Sequence, residues 1–136
     1  MRARARSGSD ALRDGEWKVT CAVYQGAGLT SPRIMQVWPG YYEGSIYGLA
    51  FDVGSTTIAG YLVDLATGDV VADAGAMNPQ IRFGEDLMSR VSYVMMNPGG
   101  DDELTSAVRG ALDQLIADLA DDVDIDLDAQ GVRAHI

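Results

Sequence analysis

Apolar residues along this chain first alternate at a period of two and then recur at helical spacing. Residues 16–24 (Glu-Trp-Lys-Val-Thr-Cys-Ala-Val-Tyr) and 34–38 are rich in β-branched and aromatic types, which predicts two strands. Residues 46–51, 58–64 and 70–77 predict three more, joined by short turns into an antiparallel meander. From Gly84 to Met96 the period changes. Leu87, Val91 and Val94/Met95 fall on one side of a predicted helix, and Asn97-Pro98-Gly99-Gly100 ends it. A second helix follows to about Ala120, with Asp102 as its expected cap. Leu104, Val108, Leu112, Leu115, Ile116 and Leu119 form its apolar stripe.

The remaining segments are punctuation. Residues 1–15 read as a disordered polar tail, 25–31 as a Gly-rich loop, and Pro39-Gly40 as a turn leading into a linker. Ala66-Thr67-Gly68-Asp69 reads as a hairpin loop with glycine where a positive φ is needed. The acidic alternation from Asp121 is open between an edge strand and a loop.

Of all the turns, the one after residue 51 carries chemistry. Asp52-Val53-Gly54-Ser55-Thr56-Thr57 sets a carboxylate at a strand end, then a glycine, then three hydroxyls. A hairpin turn chosen only for bending favours Asn-Gly or Asp-Gly, and β-branched residues serve it poorly. Glycine lets backbone approach an anion, and turn N–H groups form a concave anion site. The pattern fits a hydrated metal ion and a phosphate held together.

Composition narrows the alternatives. The 136 residues suffice for one core or for one lobe of a larger protein, and 47% hydrophobic content is a globular value. No apolar run is long enough for a membrane span, and no apolar stretch backs Arg2, Arg4 and Arg6 as in a secretory signal. The net charge of −10 is concentrated in the last third, where ten Asp/Glu between Asp101 and Asp128 face the single Arg109. Such a surface repels nucleic acid. Lys18 is the only lysine, which excludes a P-loop. Cys21 is the only cysteine. It cannot form an internal disulfide or hold an iron–sulfur cluster, and a place in a strand core is expected for it.

Other constellations are weaker. Asp124, Asp126 and Asp128 fail the calcium-loop pattern, because Ala129 and His135 stand where Gly and Glu are required. His135 has no evident partner. Arg82, Glu85, Asp86, Ser89 and Arg90 are expected to cap the first helix and to pair Asp86 with Arg90 or Glu85 with Ser89, with phosphate contact by Arg82 or Arg90 as the alternative. Trp38, Tyr41, Tyr42 and Tyr47 are expected as a packed aromatic seam.

The Asp52–Thr57 turn between two apolar strands resembles the phosphate-1 motif of the actin-like ATPases, which include sugar and acetate kinases, heat-shock seventy-type chaperones and actin. The longer run is sharper: Tyr47-Gly48-Leu49-Ala50 to Thr57, Leu62 to Gly68, Asn78-Pro79-Gln80, Gly84-Glu85-Asp86, Ser89 to Tyr93 and Asn97-Pro98. It resembles the reductive activators of corrinoid proteins, which are ATP-dependent iron–sulfur proteins. The resemblance implies an α/β fold (α+β at this length), the ribonuclease H-like lobe of an actin-like ATPase. Residues 46–136 would be an incomplete first lobe, and 16–45 a β-rich segment before it. It implies ATP hydrolysis coupled to electron transfer from an iron–sulfur centre to corrinoid cobalt, in the cytoplasm. Asp52 would be catalytic and face Mg²⁺ through water; Gly54, Ser55, Thr56 and Thr57 would surround the phosphates. The family's second phosphate loop and cluster cysteines have no counterpart here. The chain is therefore expected to be an inactive fragment whose partners are the rest of the ATPase and a corrinoid protein. A non-catalytic partner-binding domain, or a lobe of a sugar-kinase or activase-type ATPase, are the alternatives.

Overall fold

The computed structural model describes residues 8–26 and 31–125. The chain divides into two compact units, the first reaching Gly44 and the second beginning at Ser45.

In the first unit, α1 (Gly8–Asp14) precedes β1 (Val19–Tyr24) and β2 (Arg33–Pro39), which pair antiparallel. A helix thus stands where a polar tail was expected. Asp10 lies in its first turn and Arg13 in its last, both favourable to the helix dipole, and Ala11 is buried. Strand β1 starts three residues later than predicted, because Glu16 and Trp17 take positive φ values of 51° and 66° that no strand accommodates. Cys21 lies in β1 but is exposed, not a core residue, since this two-stranded sheet leaves its side of the ladder uncovered. Trp38 and Tyr42 stack at 4.3 Å, and Thr20 Oγ1 ties the following turn by donating to Gly40 O and accepting from Tyr42 N. Tyr41 points to solvent, so the expected seam is reduced to the Trp38–Tyr42 pair.

The second unit holds the predicted meander. Strands β3 (Tyr47–Val53), β4 (Thr57–Asp64) and β5 (Val70–Met77) are antiparallel and adjacent in that order. Ile58 and Leu62 of β4, with Ala72 of β5, turn to one face and are buried there with Leu112, Leu115 and Leu119. These leucines belong to α3 (Gly100–Asp122), whose apolar stripe matches the prediction. Residues 72, 74 and 76 of β5 are all alanine, so the helix can lie low on the sheet. Gly60 completes this fit: a Cβ there would stand 2.8 Å from the Phe51 ring and 3.2 Å from Leu119 Cδ1. The cap of α3 differs from expectation. Gly99, at φ 85°, precedes the helix with no side-chain cap, and Asp101, Asp102 and Glu103 fill the first turn as dipole partners.

Between sheet and α3 come a 3₁₀ turn (Pro79–Phe83) and α2 (Leu87–Met96). Helix α2 starts three residues later than predicted, because the Asp86 carboxylate caps it by accepting from Ser89 N at 2.8 Å. Its packing inverts the prediction. Leu87, Met88, Val91 and Met95 are exposed, and Arg90 is the buried residue of the helix. Among the described residues no helix is long and apolar enough to cross a membrane. Asp126, Asp128 and His135 lie outside the described residues.

Candidate functional site

The turn after β3 is tighter than its hydroxyl-rich sequence suggests. Asp52 and Val53 are still strand residues, opposite Ala59 and Ile58 of β4. Gly54 N–H donates to Thr57 O at 2.9 Å and closes the hairpin, so Ser55 and Thr56 alone form its tip. Gly54 does not adopt a positive φ. Glycine is required there because a Cβ would come within 2.9 Å of the Thr57 carbonyl.

Asp52 follows the core residue Phe51 and so projects from the opposite, open face of the sheet. Thr57 is its diagonal neighbour on that face across the β3–β4 ladder. Beside Asp52 stand Ala59 and then Gly75, in register across the three strands. These small side chains leave the carboxylate on an unobstructed shelf. Asp52, Ser55, Thr56 and Thr57 are all exposed.

The tip is held from behind, by residues whose role the sequence did not announce. Asn78, 2% exposed, donates from Nδ2 to Gly54 O at 2.8 Å and from its backbone N–H to Thr56 O at 2.8 Å. Its Oδ1 accepts from Gln80 N at 2.9 Å, which starts the 3₁₀ turn. Arg90, 6% exposed, donates through Nη2 to Ser55 O and through Nε to Gly84 O at 2.9 Å. Its Nη1 reaches Gln80 Oε1 at 3.3 Å, and Gln80 Nε2 donates in turn to Leu104 O of α3 at 3.0 Å. All three carbonyls of residues 54–56 therefore face Asn78 and Arg90. The N–H groups of Ser55 and Thr56 have no acceptor among the described residues. A turn whose carbonyls are tied down on one side presents its N–H donors and hydroxyls on the other, which is the polarity an anion requires.

The charged cluster of α2 resolves into separate tasks. Asp86 caps the helix, and the Ser89 backbone N–H, then the Ser89 side chain, hold its carboxyl below the usual 3.8. Its expected partner Arg90 directs its guanidinium to carbonyl oxygens instead. Arg82 lies over the Phe83 ring at 4.6 Å. Phe83 meets Tyr93 at 5.0 Å, and the Tyr93 hydroxyl donates to Glu103 Oε2 at 2.9 Å, which pushes the phenol above its usual 10.0. Among the described residues no cluster of three or more His, Cys, Asp or Glu side chains is placed to hold a metal ion. Asp52 is thus a single carboxylate, which suits a cation that keeps its waters.

Two family models match the chain: the RACo middle region over residues 47–131 and the RACo linker region over residues 6–44. The corrinoid activation enzyme RamQ of Eubacterium limosum is 34% identical over 84 residues, which cover 62% of this chain and 14% of RamQ. A solved structure described as a reductive activator for corrinoid, iron–sulfur protein superposes with a TM-score of 0.74 at 34% identity, covering 87% of this chain and 18% of that one. The chain spans less than a fifth of the length of either relative.

Proposed function

The chain belongs to the RACo family, the reductive activators of corrinoid proteins, and from that premise we propose that it supplies the first phosphate-binding loop of an ATPase driving corrinoid reduction. The observation that carries this function is the anchored turn, with every carbonyl of residues 54–56 bound from behind and its donors and hydroxyls left exposed. In this assignment residues 46–136 are the opening part of a ribonuclease H-like, actin-type lobe, and residues 16–45 precede it. Other parts of a protein of this family would supply the remaining nucleotide donors.

The donor set fits a phosphate chain with hydrated Mg²⁺: one exposed carboxylate, three hydroxyls and unpaired N–H groups within one turn. Mg²⁺, when bound, neutralises phosphate charge. Asp52 would hold the metal through its waters, Gly54 would allow close approach, and Ser55, Thr56 and Thr57 would donate hydrogen bonds to the phosphates. Phosphoryl transfer needs little more than such positioning and charge neutralisation. The iron–sulfur cluster of the family does not fit these residues, because a single cysteine cannot ligate one. Electron entry therefore belongs to other parts of such a protein, and this region bears on the ATP that makes an uphill transfer to cobalt feasible.

ATP turnover and formation of Co(I) by a full-length protein of this family carrying this region, followed by absorbance in the presence of a corrinoid protein, test this function. Asp52→Ala is expected to lower both by roughly a hundredfold, the scale of losing one preorganised electrostatic group. Wild-type turnover in the variant would remove the assignment.

A further inference from the structure

Arg90 is a buried guanidinium whose described hydrogen bonds all go to neutral oxygens: Gly84 O, Ser55 O and Gln80 Oε1. Among the described residues no carboxylate lies within ion-pair distance of it. Asp86, the acid nearest in sequence, feels its charge only as the weakest of five influences on its own titration. A buried cation normally carries a counter-ion, because desolvation without one is costly. On the far side of the peptide group whose carbonyl Arg90 grips, the N–H groups of Ser55 and Thr56 have no acceptor among the described residues.

We propose that Arg90 is a positioning residue of the anion site, and that its uncompensated charge, acting through the Ser55–Thr56 backbone, sets the affinity of the turn for phosphate. The assignment rests on the phosphate-loop function proposed above. Two effects combine. The guanidinium fixes the Ser55 carbonyl, so the following N–H groups are already aimed when the anion arrives. Its charge also polarises those peptide groups, and hydrogen bonds in a chain strengthen one another in a medium of low dielectric. The bound phosphate then serves as counter-ion to a guanidinium that has none among the described residues. Arg90 need not touch the ligand.

Gln80 provides the discriminating test, since its Oε1 already contacts Arg90 Nη1. Gln80→Glu delivers a carboxylate to the guanidinium and leaves the Arg90 bonds to Ser55 and Gly84 in place, giving up the Gln80 Nε2 bond to Leu104 O, whose loss alone Gln80→Met reproduces as the neutral control. Binding of Mg·ATP and of inorganic tripolyphosphate by the intact protein would be measured by calorimetry, with adenosine as the uncharged control and thermal unfolding in parallel. Gln80→Glu is expected to weaken both anions about tenfold, to leave adenosine unchanged and to keep a cooperative melt. Arg90→Met should weaken the anions at least as much, and Arg90→Lys, which keeps the charge, should regain part of the loss. Unchanged anion affinity in a folded Gln80→Glu protein would overturn the proposal, even if Arg90→Met fails to fold, because geometry alone would then explain Arg90. If Asp52→Ala also leaves Mg·ATP binding and turnover untouched, the phosphate-loop function itself falls. If Asp52→Ala impairs them and Gln80→Glu does not, only the role of Arg90 falls.

Discussion

At the scale of single residues, the turn was legible in the sequence and its support was not. Asp52 and the three hydroxyls stand out because a hairpin chosen only for bending favours Asn-Gly or Asp-Gly. Asn78 and Arg90 look ordinary: an Asn before Pro reads as a strand breaker, and an Arg four residues after an Asp reads as a helix pair. Their function comes from long-range contacts of 24 and 35 residues along the chain, which no local spacing encodes. Asn78→Ala removes the donor to Gly54 O and the acceptor of Gln80 N–H, both partly buried. It is expected to cost about 2–3 kcal/mol in chemical denaturation. Asp86 sets a pH dependence. Its carboxyl titrates below the usual 3.8 in the folded state, so its stabilising effect is present above that value and is lost as pH falls through the lowered one. The stability difference between the native protein and Asp86→Ala, measured by denaturation at about pH 7 and again at about pH 3, should shrink in acid. Asp86→Asn, which can still cap, should show a weaker acid dependence.

At the scale of elements, strands β3, β4, β5 and helix α3 follow from hydrophobic period; the strand bounds moved by at most two residues, and α3 begins three residues earlier than its expected cap implied. Helix α2 shows where period misleads. Its apolar residues recur every three or four positions as on a core-facing helix, yet the buried position is Arg90, whose guanidinium bonds to the carbonyls of Ser55 and Gly84. Helix α1 as a whole escaped the reading for the opposite reason: a short polar helix has too few apolar positions to show any period. Packing of α3 on the sheet depends on small residues at the contact. Gly60→Val is expected to lose about 1–3 kcal/mol through overpacking against Phe51 and Leu119. Leu119→Ala is expected to lose about 2–5 kcal/mol through a cavity at the same place. The two losses should not add, since the smaller residue at 119 makes room for the larger one at 60; a double-mutant cycle measures the difference.

At the scale of the whole molecule, the described chain separates into two units with unequal cores. The second unit holds nearly all the buried apolar side chains, and the first depends on Ala11 and Trp38. Val23, Ile34 and Met35 of its strands face solvent. Limited proteolysis is expected to cut the first unit while residues 47–122 remain protected, as mass spectrometry of the fragments would show. Every methionine in the described residues is exposed: Met35 63%, Met77 70%, Met88 69%, Met95 82% and Met96 80%. None contributes to the buried clusters around Ile58 and Leu62. Peroxide can therefore convert these thioethers to sulfoxides without opening a cavity or placing an oxygen in the core. The fold is built to outlast that oxidation. The change would be felt on the surface, above all at Met77, which stands opposite Thr57 in the β4–β5 ladder and would bring a new polar group to the rim of the proposed anion site.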